Sequence, residues 1–230
     1  MSATLFLVAD LWLIFACFFG AWRFIRHYGN HLLGLEWLIV GTSAVNFLVW
    51  SLFVGDQSSP LYWLAGFLDA FSRSVGFTLI LVMGLMRVTH RYRPRPAVEI
   101  GVFALAVVAG LYLQQFLGHG LHVGPATFYV VVNLLTTGFL AYVTWRLWGI
   151  GAKNLAVWTA VVTAAATVIA LTYDFFPIPG DDEQHTLFYI AALATWGTQA
   201  FVYLHAYRAL HDHNVATGLE SGRKESFRAT

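Results

Sequence analysis

The chain has 230 residues, of which 58% are hydrophobic, 17% aromatic and only 11% charged, where an average soluble domain carries about 25% charged residues. Such a composition argues against a soluble globular protein. A formal net charge of +1 with no long basic run leaves no footprint for nucleic acid, and the single cysteine, Cys17, excludes a disulfide framework.

Crossing a bilayer takes roughly 20 apolar residues per helix. Segments of that kind fall at about 3–25, 32–54, 61–88, 97–117, 126–148, 155–177 and 186–209. They predict an all-α, polytopic membrane protein with seven transmembrane helices. The first segment lacks a basic stretch before it and is expected to be a retained span, not a signal peptide. All six prolines (Pro60, Pro94, Pro96, Pro125, Pro177 and Pro179) fall between spans or at their ends, where a missing N–H costs least. No hydrophilic stretch is long enough to fold alone, so the expected organisation is one seven-helix domain over 1–213 and a short, flexible cytoplasmic tail over 214–230.

Lys and Arg are retained on the cytoplasmic side of a membrane. The first loop holds Arg23 and Arg26, the third Arg87, Arg91, Arg93 and Arg95, the fifth Arg146 and Lys153, and the last segment Arg208, Arg223, Lys224 and Arg228. The alternate loops hold none, and the one remaining cation, Arg73, falls inside a span. A cell-membrane protein with its N-terminus outside and its C-terminus in the cytoplasm is predicted. Sliding the first span onto the fifth by about 123 residues aligns Val8-Ala9-Asp10-Leu11 with Val131-Val132-Asn133-Leu134. A slightly different offset sets Asp69 against Thr195 and Arg73 against Gln199. This is the pattern of a 3+1+3 internal repeat.

The third span is the unusual one. Asp69, Ser72, Arg73 and Gly76 are spaced i, i+3, i+4 and i+7 and share one face of an α-helix. An ion facing lipid costs several kcal/mol, so Asp69 and Arg73 are expected to pair and to look into a hydrated interior. Judged by distance from the helix ends, Asp10, Asn46, Asn133, Asp174 and Gln199 lie in the same outer half. Asp10, Asn46, Asp69, Arg73, Asn133, Asp174 and Gln199 are therefore the candidate substrate-binding residues. Three acids against one base predict either a protonated carboxyl or a bound cation. The competing explanation is that such groups only hold helices together, a role small residues such as Gly66, Gly76, Gly84, Gly138 and Gly197 can fill without charge.

Glu36 stands apart, near the cytoplasmic end of the second span, where it is expected to snorkel toward Arg23, Arg26 or His31; an inner gate is the alternative. The histidines do not form the dense boxes or paired intramembrane ligands that metal or haem chemistry requires. Neither cofactor is expected. The group His119, His122, His185 with Asp181, Asp182 and Glu183 is the place for adventitious divalent binding. Trp63, Tyr129, Trp145, Trp148 and Tyr203 read as an interfacial belt, and Trp12, Trp50, Trp196 and Tyr173 as deeper residues. No GxSxG elbow, P-loop or HExxH motif is present, so no catalytic residues are assigned.

Seven spans with the N-terminus outside, a triple-helix repeat and an Asp/Arg pair on the third helix resemble the architecture shared by microbial rhodopsins and by sugar transporters with 3+1+3 helices. The resemblance is one of topology. Covalent retinal needs a lysine in the seventh helix, and the chain's lysines are Lys153 and Lys224; a Schiff-base pigment is excluded. The Pro-Gln dipeptide of the transporter relatives is absent as well. Function is expected to be transport or channelling of a small solute or ion through the outer-half cavity. One alternative is a lysine-less, opsin-like ligand-binding sensor working with a separate partner. Another is a membrane-embedded lipid-modifying metalloenzyme built on Glu36 and the cytoplasmic histidines. The expected partners are the lipid bilayer, a small-molecule or ion ligand, and a second copy or another membrane protein.

Overall fold

A computed structural model describes residues 2–117, 120–175, 180–182 and 185–219. The described residues are helical, without strands, and form seven helices long and apolar enough to cross a membrane. These are α1 (Ser2–Arg26), α2 (His31–Val54), α3 (Pro60–Thr89), α4 (Pro96–Phe116), α5 (Val123–Gly149), α6 (Lys153–Phe175) and α7 (Thr186–Ala216). Local chemistry explains where they start. Asn30 caps α2, accepting from Leu33 N while its Nδ2 donates to Gly84 O of α3 at 2.9 Å. Ser59 caps α3 with Pro60 at its first position, and Pro96 opens α4. The carboxyl of Asp181 accepts from the amides of Asp182, Leu187 and Phe188, and that of Asp182 from Thr186 N. Desolvation works to raise Asp181, but these amides hold it below the usual carboxylate range. The two acids thus serve the start of α7.

In the arrangement of the bundle, α3 is the hub. It packs on α2, α4, α5 and α7, while α1 lies mainly against α2 and α7, and α6 joins α5 to α7. Within its most apolar stretch 67% of α3 is buried, against 17% to 44% in the other spans. The helix that carries the Asp69–Arg73 pair is thereby the one most withdrawn from lipid. Large apolar side chains such as Phe53, Ile100, Leu135 and Trp145 cover the outward surfaces. The main core runs through α1, α2, α5, α6, α7 and the second half of α3.

Close approach depends on glycine at a few positions. A methyl at Gly84 would lie 2.4 Å from Leu33 Cγ, and one at Gly197 would lie 2.6 Å from Trp12 Cδ1. Of the other glycines expected to mediate packing, Gly66 would make only ordinary contact and Gly138 faces open space.

Helix α3 is not α-helical throughout. Between Ser72 and Ile80 it is a π-helix, and α2 ends in a second such stretch, Trp50–Val54. The i→i+5 turn breaks the 3.6-residue register on which the i, i+7 spacing relied. Asp69, Ser72 and Arg73 line the interior cavity, but Gly76 is turned against α2. Helix α7 continues to Ala216, and Asn214 is buried, donating to Val88 O at 2.8 Å. Residues 220–230, including Arg223, Lys224 and Arg228, lie outside the described residues.

Candidate binding cavity

Asp69 and Arg73 are one turn apart in α3, with Arg73 Nη1 3.4 Å from Asp69 Oδ2. The other guanidinium nitrogen, Nη2, donates to Asp174 Oδ2 of α6. The flat cation also lies between two aromatic faces, 4.0 Å from the ring centroid of Tyr129 on α5 and 3.8 Å from that of Tyr173 on α6. Tyr173 holds the assembly together from its other end, its hydroxyl donating to Asp69 Oδ1 at 3.5 Å. Three helices thus converge on one guanidinium. Holding two acids through separate nitrogens while the flat cation meets two rings suits Arg better than Lys.

The cluster faces a cavity of about 1280 Å³, larger than the 300–1,000 Å³ usual for small-molecule sites. At one end the lining includes Gln57, Ser58 and Ser59 of the loop before α3, Gln114 and Gln115 at the end of α4, and His185 before α7. From there the lining continues past Asp69, Arg73, Tyr173 and Asp174 to Thr163 and Gln199. Side-chain exposures of 10% for Arg73, 24% for Asp69 and 22% for Asp174 fit groups that border a cavity without projecting into it.

Toward the far end of the lining, Gln199 Nε2 donates to the Tyr203 hydroxyl at 2.8 Å, which pairs with Thr163 Oγ1 at 2.8 Å. Gln199 Oε1 is buried without a partner. Thr137 and Thr167 join α5 to α6 at 2.8 Å on the same lining. These hydroxyls bond backbone carbonyls of their own helices, which leaves little polarity unspent below the ion cluster.

The seven residues singled out by sequence separate into three groups. Asp69 and Asp174 both contact Arg73. Asn133 and Gln199 line the same cavity, and Asn133 Nδ2 donates to Tyr129 O, on the turn that presents Tyr129 to Arg73. Asn46 and Asp10 are elsewhere. Asn46 Nδ2 is committed to Leu61 O at 2.9 Å and ties α2 to the start of α3. Asp10 is fully buried beside the α1 core residues Ala9 and Leu13, with no hydrogen-bond partner for either oxygen.

The two rings carry almost no sequence signal. Tyr129 reads as an interfacial residue, and nothing in α5 announces that its face meets a cation from α3. Tyr173 has one signal, its place next to Asp174.

One further expectation fails. Glu36 does not snorkel: it is fully buried, and neither carboxylate oxygen has a hydrogen bond. The reason lies on the facing helix, where Gly76 leaves a notch that the carboxyl fills. Among the described residues no three His, Cys, Asp or Glu are grouped to hold a metal ion. Asp181 and Asp182 are engaged with the amides that open α7, while His119 and Glu183 of the same expected group lie outside the described residues.

No protein-family model matches this chain, no curated protein matches its sequence, and no solved structure matches its fold.

Proposed function

We propose that this multi-pass membrane protein transports a small solute bearing a positively charged group, through a cavity that opens on the extracellular side. The observation that carries the proposal is the Asp69–Arg73–Asp174 cluster on the cavity wall. Two acids and one base leave an excess negative charge, which in a low-dielectric surround favours a cationic or zwitterionic occupant. An incoming ammonium competes with Arg73 for the carboxylates. Because Asp69 is on α3 and Asp174 on α6, such an exchange loosens one helix from the other, and the π-helical stretch beginning at Ser72 gives α3 a second register to adopt.

The positive-inside distribution supports N-terminus outside and C-terminus cytoplasmic, which puts the mouth formed by Gln57–Ser59 and His185 outside. Neighbour relations are compatible with a 3+1+3 repeat: α1 packs on α2 and α7 as α5 packs on α6 and α3.

A panel of small cationic, zwitterionic and anionic solutes tests the proposal, first by thermal shift of the purified protein and then by uptake into proteoliposomes. At least one amine-bearing solute is expected to raise Tm, to lose that effect in the D69N/D174N double variant, and to accumulate in vesicles. A Tm shift of equal size in the double variant contradicts the proposal. The walls contributed by Phe47, Trp50, Tyr62 and Trp196 favour a second reading, a sensor that holds a flat ligand and works with a separate partner. A ligand that stabilises the protein but never accumulates selects the sensor.

A further inference from the structure

The buried acid that the cavity cluster does not use is Glu36. Its carboxyl rests against Gly76 of α3 so closely that a methyl there would lie 2.4 Å from Oε1 and 2.8 Å from Cδ and Oε2. The direction of the side chain follows from its neighbour. Leu33 packs on Gly84, whereas Glu36 packs on Gly76. Three residues along α2 rise about 4.5 Å, while the eight residues between the two glycines span about 12 Å at α-helical rise. The carboxyl is therefore carried toward the cavity and away from the basic end of the bundle.

Between Glu36 and the cavity stands Ser72. It belongs to the cavity lining, and its buried Oγ lies within reach of the Glu36 carboxyl in a geometry short of a full hydrogen bond. On the α1 side Glu36 faces the thiol of Cys17, itself fully buried; from α3 it meets Ser72 and Gly76. No cation among the described residues acts on it, since the adjacent Arg73 is held by Asp69 and Asp174. An ionised carboxylate without a countercharge or a hydrogen bond is expensive at this depth. The notch therefore suits a carboxyl that carries its proton.

We infer that Glu36 is a proton-binding site loaded from the cavity through the Ser72 hydroxyl, and that it couples proton movement to the transport proposed above, on which the coupling role depends. In the loading step a hydronium in the cavity gives a proton to Ser72 Oγ as Ser72 passes its own hydroxyl proton to a Glu36 carboxylate oxygen. Water, an unchanged serine and a neutral acid remain. The coupling element is the π-helical stretch, which carries Ser72, Arg73 and Gly76 together. A register change at Arg73 moves both the relay and the notch relative to α2. Asp10 is equally buried and unpartnered, but it borders no part of the cavity. It is the internal control.

Infrared spectroscopy of the purified full chain in lipid nanodiscs reads the site without any solute. At neutral pH a carbonyl-stretch band of a protonated carboxylic acid is expected that disappears in E36Q, and a second that disappears in D10N. On transfer to heavy water the Glu36 band shifts rapidly and the Asp10 band slowly. In S72A the Glu36 exchange slows by about a hundredfold, the lower range for losing a positioned proton carrier. Failure of E36Q to remove a band, or exchange equally fast in S72A, overturns the inference. Where E36Q does not fold, S72A and D10N decide between the same two outcomes on bands of the intact acid. A solute screen that fails while the exchange result holds removes the coupling role and leaves the proton site.

Discussion

Arg73 and Glu36 sit on neighbouring helices and touch the same π-helical stretch, yet their environments are opposites. Arg73 is wrapped by two carboxylates and two aromatic faces drawn from α3, α5 and α6, and borders a cavity. Glu36 is shut into a glycine notch with no ion and no hydrogen bond. A charged group inside a membrane protein is thus either compensated while charged or kept neutral. Residue type and depth do not decide between these outcomes; the facing helix does.

That contrast fails most visibly if the Arg73 cluster is not a charged unit. Removing both acids (D69N/D174N) leaves the guanidinium with only its aromatic faces, and about 3–5 kcal/mol of stability should be lost. Each single variant should cost clearly less than half of that, because the remaining acid still compensates, and adding R73Q to the double variant should recover part of the loss. Thermal unfolding of the wild type and the four variants in one detergent measures this; strictly additive effects speak against a shared unit.

Next in size, G84A forces a methyl into Leu33 and should cost about 1–3 kcal/mol, whereas G138A, which faces open space, should cost nothing measurable. On the Glu36 side the sign reverses. Glu36→Met replaces an unsatisfied carboxyl with an apolar chain of similar length and should leave Tm unchanged or raise it by the equivalent of about 1 kcal/mol. A large loss of Tm would show that Glu36 is paired after all. Smallest is Asn46→Ala, which removes one interhelical hydrogen bond to Leu61 O and should cost about 0.6 kcal/mol without altering solute binding.

Much of the architecture was legible because lipid imposes it. Runs of apolar residues and the placement of proline located all seven helices, and the i, i+4 spacing of Asp69 and Arg73 announced their pairing. Asp174 came within reach through depth alone. What stayed hidden belongs to contacts between helices. A π-helical turn leaves no residue signature, so α-helical spacing puts Gly76 on the Arg73 face although it meets α2. Tyr129 and Tyr173 show their role only once α5 and α6 are set against α3. Glu36 looked able to reach the basic loops because the notch that receives it is written in a different span. Asp10 and Asn46 had the right depth, but their faces of α1 and α2 turn elsewhere.

Whether external water reaches Arg73 is measured most directly by thiol labelling in intact cells. Cys17, the chain's own cysteine, is fully buried and should stay silent, so an introduced cysteine reports alone. Asn133→Cys, on the cavity lining, should react with a membrane-impermeant maleimide applied from outside, and Leu135→Cys, two residues away on the exposed apolar face of α5, should not. Labelling at 133 that is absent in intact cells, or that appears only in inside-out vesicles, would contradict an outward-facing hydrated cavity built around Arg73.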